Sequence, residues 1–246
     1  MEIKCLPEYK LSEAERAVVE YIRKQQCIIN LLTITDIAGG AYVSNATVSR
    51  AIRKCGFSSL SEMKFRLAED AKDYKQTYEM NSILSKSYTE CLETIKSIDI
   101  PTVVEVTELI RSAKTVYLLA NGLTALVANE FAVQLQCQKV NVCLISDSEM
   151  MRKLDLLCGE DDLVLILSVK NSTPELCIAA RHGKKNGSKV VSLCCTHGTE
   201  LDTVSDLVIY GHSESIHSNR IFGGTSRIGL MMITRTIVEY MVTDIE

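Results

Sequence analysis

Between Ser44 and Lys54 lies a cluster of polar and basic residues with the chemistry to recognise bases and phosphates. Arg50 and Arg53 are three residues apart and therefore share one face of a helix. An arginine can bind guanine through two hydrogen bonds, and Asn45 carries an amide that can bind adenine in the same way. Lys54 suits a backbone phosphate. The segment therefore predicts a helix that enters the major groove of DNA.

The residues around this cluster indicate how it is positioned. A helix is predicted over about 35–39, the Gly39-Gly40 pair is expected to form a turn, and Ser44 is expected to cap the next helix, which ends near Lys54. Upstream, Ser12 and Glu15 have the spacing of a capping box. The side chains predicted to point outward from the helix after Ser44 are Asn45, Thr47, Ser49 and Arg50. An ordinary three-helix bundle with polar exposed positions remains an alternative.

The charge of the chain is unevenly distributed, although its formal net charge is −4. Residues 1–76 carry 12 basic and 10 acidic side chains, whereas the remaining residues carry 15 and 21. Residues 44–66 contain five basic side chains and one acidic one. Local charge governs the attraction of phosphates, so this distribution agrees with a DNA contact near the N-terminus.

The second part of the chain has the pattern of an α/β domain. Short apolar runs alternate with amphipathic stretches, which predicts a parallel sheet covered by helices on both faces. The predicted strands are 115–120, 140–145, 162–168, 189–195 and 207–210, and the predicted helices are 123–137, 148–158, 173–186 and 222–242. We therefore divide the chain into an all-α domain (1–76), a helical linker (77–101) and a doubly wound α/β domain (102–246).

Composition excludes several classes of protein. The ten cysteines are scattered without a Cys-x-x-Cys pair, which indicates reduced thiols and neither a disulfide framework nor a zinc site. No metal and no cofactor are expected. The chain has no run of about 18 apolar residues, and its first residues lack the apolar core of a signal peptide. A cytoplasmic protein without a membrane partner is therefore expected.

Five motifs in residues 11–70 together resemble the N-terminal domain of RpiR-type bacterial regulators. They are Leu11-Ser12-x-x-Glu15-Arg16, Ile34-x-x-Ile37-Ala38, Val43-Ser44-Asn45-Ala46-Thr47-Val48-Ser49-Arg50, Lys54-Cys55-Gly56-Phe57 and Glu62-x-Lys64-x-x-Leu67. The resemblance implies that the helix after Ser44 is the recognition helix. It places Ser44, Asn45, Thr47, Ser49, Arg50 and Arg53 at the groove, and the residue chemistry adds Lys54.

RpiR-type regulators carry a C-terminal sugar isomerase (SIS) domain, and residues 102–242 resemble one. In such domains a phosphosugar binds at the carboxyl ends of the strands, in two loops. The family pattern Gly-x-Gly-x-Ser after the first strand is Ala120-Asn121-Gly122-Leu123-Thr124 here. The pattern Ser-x-Ser-Gly-x-Thr after the third strand is Ser168-Val169-Lys170-Asn171-Ser172-Thr173. The candidate ligand-binding residues are Asn121, Gly122, Thr124, Ser168, Lys170, Asn171, Ser172 and Thr173.

The two loops depart from the family pattern, and several interpretations follow. Lys170 replaces a serine and can offer a positive charge to a phosphate, fill the pocket or face solvent. Asn171 replaces a glycine and tolerates a left-handed backbone. Thr124, Ser168, Ser172 and Thr173 also have the chemistry of helix caps, which alone would account for them. No acidic residue or histidine lies in a motif that indicates proton transfer, so no catalytic residue is predicted.

The leading hypothesis is a DNA-binding regulator of sugar-phosphate metabolism, with repression as the expected mode. Its partners would be double-stranded operator DNA and a sugar phosphate or amino-sugar phosphate. A homodimer or homotetramer would pair the DNA-binding helices, and the apolar C-terminal helix is the candidate contact. Two alternatives stay open: a phosphosugar isomerase with an N-terminal interaction module, and a regulator whose SIS-like domain only mediates assembly.

Overall fold

The computed structural model describes residues 10–25, 28–29, 31–70, 75–171, 173–214 and 224–243. The chain divides into two compact units, Met1–Tyr88 and Thr89–Glu246. The division falls inside the segment that the sequence predicts as a helical linker. In the described residues no helix is both long and apolar enough to cross a membrane.

The first unit is helical. Its helices are α1 (Glu13–Lys24), α2 (Ile34–Gly40), α3 (Asn45–Lys54) and α4 (Leu60–Asp70). They enclose a core of aliphatic side chains, among which Val18, Ile37, Val48 and Ala51 are fully buried. This core holds α3 against α1 and α2, so that one face of α3 is left at the surface.

Side-chain caps set the beginnings of the first three helices. The predicted capping box of α1 is confirmed, because the Ser12 hydroxyl accepts from the Glu15 amide and the Glu15 carboxylate accepts from the Ser12 amide. Thr33 forms a second box with Asp36 at α2. Ser44 caps α3 as predicted, accepting from the Thr47 amide at 3.2 Å. Each cap satisfies a backbone N–H that has no partner within its helix.

The turn between α2 and α3 differs from the prediction. Gly39 and Gly40 are the last two residues of α2, and the turn is formed by residues 41–43. The Val43 amide donates to the Ala38 carbonyl at 2.9 Å and the Tyr42 amide donates to the Gly39 carbonyl at 3.2 Å. This is the hydrogen-bond pattern of a Schellman motif, and its left-handed residue is Tyr42, with φ 55°.

The predicted linker is helical almost throughout. A long helix, α5 (Lys75–Ser97), is followed after two residues by α6 (Ile100–Ser112), with Asp99 as its cap. Pro101 lies in the first turn of α6, where proline is tolerated because the N–H that it lacks has no intrahelical acceptor.

The second unit contains a five-stranded parallel sheet. The strands are β1 (Val116–Leu119), β2 (Val142–Ile145), β3 (Leu163–Ser168), β4 (Lys189–Cys194) and β5 (Leu207–Tyr210), in the order β2-β1-β3-β4-β5. All four neighbouring pairs are parallel. The doubly wound sheet predicted from the sequence is therefore confirmed, with each predicted strand within two residues of its observed bounds.

Helices cover both faces of this sheet. They are α7 (Thr124–Cys137), α8 (Ser148–Arg152), α9 (Pro174–Lys185), α10 (Glu200–Val204) and α11 (Ile228–Thr243), together with α6. Successive residues of β3 alternate between two buried clusters, Leu163 and Leu165 on one face and Val164 and Ile166 on the other. The sequence did not predict α10, and the predicted helix 148–158 is shorter, ending in a 3-10 turn at Leu154–Leu156.

Candidate DNA-binding helix and ligand-binding edge

The exposed face of α3 carries most of the side chains that the sequence assigns to DNA. Ser44, Asn45, Arg50 and Arg53 are exposed, and Ser49 is half-buried. Ala46 is exposed between them, so the first turn of α3 presents little bulk. This face can therefore come close to base edges, with guanidinium and amide donors at its centre.

Thr47 lies elsewhere than expected. Its side chain is buried with 8% exposure, so the expectation that it points outward is wrong. The Thr47 hydroxyl lies 3.0 Å from the Ser44 hydroxyl and accepts from the Arg50 guanidinium at 3.1 Å. Thr47 thus orients Arg50 on the exposed face, a positioning role that the residue types alone did not indicate.

Lys54 also has a partner within the unit. Its amine lies 2.7 Å from the Glu15 carboxylate and 3.3 Å from the Lys10 carbonyl. The hydrogen bond from Lys54, together with that from the Ser12 amide, holds the pKa of Glu15 below its ordinary value although burial opposes this. The structure therefore ties Lys54 to α1, and its predicted contact with a DNA phosphate competes with this ion pair.

The second candidate site lies at the carboxyl edge of the sheet. In the observed strand order, β2 lies on one side of β1 and β3 lies on the other. The chain therefore leaves β1 toward one edge of the sheet and, after β2, crosses back to the opposite side of β1. The crevice between the ends of β1 and β3 is thus the point at which the winding reverses, where open α/β sheets bind ligands. Both predicted ligand loops, residues 120–124 and 168–173, begin at this crevice.

The loop after β1 is held by its own amide side chain. The Asn121 carbonyl oxygen accepts from the Gly122 amide at 2.7 Å, and its amide donates to the Ser148 hydroxyl at 3.4 Å. Gly122 has φ 58°, a left-handed conformation that glycine adopts without strain. Thr124 is the first residue of α7 and is buried.

The loop after β3 turns around Asn171. Asn171 has φ 52°, as its tolerance of a left-handed backbone suggested, and its amide N–H donates to the Ser168 hydroxyl at 3.0 Å. The Asn171 side chain donates to the Thr199 hydroxyl at 3.0 Å and to the Thr196 carbonyl at 3.3 Å. Lys170 is exposed, Thr173 is half-buried, and Ser172 lies outside the described residues.

The two helices that start at this crevice lack a side-chain cap. The N-cap residue of α7 is Leu123, which has no side chain that can cap. The N-cap residue of α9 is Thr173, and its hydroxyl makes no capping hydrogen bond. Side chains do cap α1, α2, α3, α6 and α8. Capping therefore does not account for the hydroxyls of Thr124 and Thr173. At α9 the first residue, Pro174, has no N–H, and the Glu175 carboxylate accepts from its own backbone N–H. The uncapped start of α7 is left for another partner.

Charge at the edge is negative on the side of β4 and β5. Hydrogen bonds from Thr199 lower the pKa of Asp202, although burial opposes them, so this carboxylate is ionised at neutral pH. Burial and the neighbouring Asp202 raise the pKa of Tyr210 to about 12, and burial raises the pKa of Cys194 to about 11. This charge disfavours an anion on the side of β4 and β5.

The structure thus brings Asn121, Gly122, Thr124, Ser168, Asn171 and Thr173 to one edge. Sequence reasoning missed the network of Thr199, Asp202 and Tyr210 that anchors Asn171. The sequence did contain a sign of this network, because Thr199 and Asp202 have the spacing of a capping box.

Comparison with known proteins identifies both domains of the chain. Residues 6–73 match the helix-turn-helix domain of the rpiR family, and residues 109–238, more than half of the chain, match the SIS domain.

Among relatives, an HTH-type transcriptional regulator of Clostridium perfringens is 25% identical over 85% of this chain and 81% of its own length. The HTH-type transcriptional regulator HexR of Pseudomonas aeruginosa is 25% identical over 81% of this chain and 74% of its own. Both relatives are HTH-type transcriptional regulators.

The NanR protein of Vibrio vulnificus, solved in complex with ManNAc-6P, shares the fold. Its TM-score is 0.61 at 23% identity, over 95% of this chain and 87% of that one. The motifs of α1 to α4, the doubly wound sheet and these matches lead to one conclusion. The chain belongs to the RpiR family of helix-turn-helix transcriptional regulators with a C-terminal SIS domain.

Proposed function

We propose that the chain is a repressor whose SIS domain binds a sugar phosphate at the crevice between β1 and β3, which changes its affinity for operator DNA. The observation that carries the proposal is the start of α7 at this crevice, which no side chain caps. Backbone N–H groups at helix N-termini bind phosphate, assisted by the helix dipole. The N-terminus of α7 is such a site here, with Thr124 as its first residue.

Hydroxyl groups lie beside these helix ends. Thr124, Ser168 and Thr173 can each donate to a phosphate oxygen, and the Thr124 and Thr173 hydroxyls make no hydrogen bond to another described residue. Lys170 is exposed at the same loop and can supply a positive charge. The chemistry of the edge on this side therefore suits a dianionic phosphate.

Asn171 supports a sugar as the remainder of the ligand. Its side chain is 6% exposed, its N–H groups are engaged, and its carbonyl oxygen receives no hydrogen bond from any residue that the structure describes. A buried acceptor without a donor is costly. The hydroxyl or amide of a bound sugar would supply the missing donor, and this is the role that we assign to Asn171.

The DNA contact is assigned to the exposed face of α3. Arg50 and Arg53 would bind bases or phosphates, with Asn45 and Ser49 nearby and Ser44 at the N-terminus of the helix. Two copies of α3 are needed for a two-fold operator, whose half-sites lie about 34 Å or a multiple of this apart. A ligand that binds one arrangement of the pair more tightly shifts the affinity for DNA by that difference.

We also propose that the SIS domain pairs the chains as a homodimer or a homotetramer. Much of α11 is in the core, with Ile233, Ile237 and Met241 buried. Met231 on α11 and Val133 on α7 are nevertheless about half exposed, and they lie on the two helices that line a cavity of about 320 Å³. These apolar side chains support a contact between copies.

Thermal unfolding of the purified chain with a panel of sugar phosphates and amino-sugar phosphates tests the ligand assignment. ManNAc-6P belongs in the panel because the NanR protein was solved with it. A ligand at about 100 times its Kd should raise Tm by about 5 °C, and inorganic phosphate should give a smaller shift. Turnover of a panel member would instead support an isomerase, and no shift would favour a domain that only mediates assembly.

A further inference from the structure

Tyr42 combines two properties that are rarely found together. It has φ 55° in the turn before α3, and its side chain is 95% exposed. For a residue with a Cβ atom this left-handed conformation is strained, whereas glycine adopts it readily. Burial of the ring does not offset the strain. The side chain therefore contributes almost nothing to the stability of the free protein.

The position of Tyr42 suggests what its side chain does contact. Tyr42 precedes the N-cap of α3 by two residues, and the first turn of a recognition helix lies against base edges in the groove. A side chain that projects from the turn before this helix therefore lies near the sugar-phosphate backbone that borders the groove. Tyrosine hydroxyls are among the donors that bind DNA phosphates.

We propose that the Tyr42 hydroxyl donates a hydrogen bond to a backbone phosphate beside the groove that α3 enters. This inference rests on the proposed DNA-binding function. The contact would fix the register of α3 on the duplex without reading its sequence. Because tyrosine is neutral, the contact would add affinity without releasing a counterion.

The test compares the wild type with three variants on one duplex, which the wild-type chain selects from a random-sequence library. Tyr42→Phe removes only the hydroxyl and should weaken binding about tenfold. The slope of affinity against salt concentration should stay unchanged, whereas the control Arg53→Gln should reduce it by about one counterion. Tyr42→Gly should weaken binding as much or more, yet raise Tm by roughly 4 °C because the strain is released.

If Tyr42→Gly lowers the affinity for DNA but raises Tm, Tyr42 contacts DNA. A residue with a structural role would lower both when it is replaced. If Tyr42→Phe and Tyr42→Gly both bind the duplex as the wild type does, the inference is overturned. A wild-type chain that selects no duplex from the library would instead refute the proposed DNA binding itself, so the two failures are distinguishable.

A different observation concerns α5, which begins at Lys75 in the first unit and ends at Ser97 in the second. Three of its side chains hydrogen-bond to alternate residues that begin with the last residue of β5. The Glu90 carboxylate accepts from the Glu214 amide at 2.6 Å, the Thr94 hydroxyl accepts from the His212 amide at 2.9 Å, and the Ser97 hydroxyl donates to the Tyr210 carbonyl at 2.8 Å. Glu90, Thr94 and Ser97 share one face of the helix.

Segment 210–214 is also held tightly on its other side. A Cβ atom on Gly229, the second residue of α11, would lie 2.5 Å from the His212 carbonyl oxygen, so only glycine fits there. A Cβ atom on Gly211 would lie 3.2 Å from the Gly229 backbone. A segment packed in this way moves together with α5 and not independently of it.

The same segment is connected to the proposed ligand loop. The Asn171 amide lies 3.5 Å from the Asp202 carboxylate, and Asp202 also hydrogen-bonds with the Tyr210 side chain. A chain of hydrogen bonds therefore runs from Asn171 through Asp202 and Tyr210 to Ser97 on α5. We infer that this ladder of Glu90, Thr94 and Ser97 couples occupancy of the ligand site to α5, and through α5 to the DNA-binding unit.

Thermodynamic coupling is reciprocal, so DNA binding should also change the hydrogen bonds that Glu90, Thr94 and Ser97 make. With the selected duplex as the probe, amide hydrogen exchange of segment 207–214 in the full chain should change on DNA binding. Thr94→Val combined with Ser97→Ala should abolish that change while DNA affinity stays within twofold. The control Ser87→Ala, on the same helix, loses a hydroxyl that bonds only to the Ile83 carbonyl and should keep the change.

Unchanged exchange in the wild type on adding DNA would overturn the coupling, and so would a change that persists in the double variant. Ser97→Ala alone provides the same test with little risk to folding, because Ser97 is exposed. It should reduce the exchange change at least twofold. Failure of the wild type to bind any duplex would again count against the proposed function.

Discussion

The Lys54 amine lies 2.7 Å from the buried Glu15 carboxylate, so the last residue of α3 is bound to the first turn of α1. The same carboxylate accepts from the Ser12 amide and closes the capping box of α1. The Glu15 side chain therefore stabilises the start of α1 and also holds the C-terminal end of α3. The exposed face of α3 is oriented by this contact and by the core beneath it.

Loss of Lys54 should therefore destabilise the DNA-binding unit. Lys54→Met leaves a buried carboxylate without its cation, and we expect a cost of about 2 kcal/mol in the free energy of unfolding at neutral pH. The matched control is Lys24→Met, because Lys24 pairs with Glu20 at 3.1 Å on the exposed face of α1. That variant should change stability by less than about 0.5 kcal/mol. Chemical denaturation of both proteins measures the difference, and equal costs would refute the role of the buried pair.

Acid should remove the contribution of Glu15. Its pKa in the folded chain lies below the ordinary value of 4.5, so the ionised form stabilises the fold above that value. This stabilisation is lost as the pH falls through the folded pKa. The stability difference between wild type and Lys54→Met should accordingly be constant near neutral pH and shrink below about pH 4. A difference that stays constant to pH 3 would show that Glu15 is not the group responsible.

Gly229 should be intolerant of any side chain. Gly229→Ala places a Cβ against the His212 backbone, which cannot move aside as a flexible side chain would, and should cost about 2–3 kcal/mol. Gly39→Ala is the control, since its Cβ would meet nothing within 4 Å, and alanine in a helix should gain up to about 1 kcal/mol. Urea unfolding measures the free energy of unfolding of both variants, which should fall in Gly229→Ala and rise in Gly39→Ala. A tolerated Gly229→Ala would mean that segment 211–212 is loosely packed.

Arg50 should dominate DNA recognition. Arg50→Ala removes an exposed guanidinium that Thr47 orients, and specific affinity should fall about tenfold to a hundredfold. Arg181→Ala is a suitable control, because Arg181 is exposed on α9 and pairs with Glu200. Fluorescence anisotropy with the selected duplex gives both affinities. Binding that is unchanged in Arg50→Ala would remove Arg50 from the interface.

The ligand loop can be tested without disturbing DNA binding. Asn171→Ala removes the buried acceptor and the link to Asp202, and Thr173→Val removes a hydroxyl that caps nothing. Each should weaken sugar-phosphate binding about tenfold, while DNA affinity without ligand stays the same. Thr203→Val is the control, since its hydroxyl bonds only to the Glu200 carbonyl within α10. Calorimetric titration provides the affinities, and wild-type binding by both variants would place the ligand elsewhere.

Assembly should depend on the outer face of α7 and α11. Met231 is 47% exposed there, and a lysine at this position would bring a charge into the proposed contact between copies. Met231→Lys should therefore shift sedimentation toward monomer, whereas Met150→Lys, at 46% exposure on α8, should not. Equal behaviour of the two variants would exclude this face.

Local patterns predicted the elements well because they depend on few residues. The Ser44 cap, the Ser12–Glu15 box and the five strands follow from side chains within a few positions of each other. The orientation of Thr47 was missed because positions 45 and 47 lie about 200° apart around a helix, so they cannot both face the groove. The turn was misplaced because its left-handed residue is a tyrosine, and the sequence pointed to the glycines instead.

The long-range contacts of the ligand edge were beyond local patterns. Asn171 reaches Thr199, 28 positions later, and Ser97 reaches Tyr210 across 113 positions. Only the packing of the sheet brings such pairs together. The loops themselves were identified through the family resemblance. Their position at one edge follows because the carboxyl ends of neighbouring parallel strands lie on the same side of the sheet.

We propose that sugar-phosphate binding and DNA binding are coupled within one chain. The most direct measurement is the Kd for the selected duplex, by anisotropy, with and without a saturating sugar phosphate taken from the thermal panel. We predict a change of at least about fivefold, which is absent in Asn171→Ala. A duplex affinity that does not respond to any sugar phosphate that binds the chain would contradict the account.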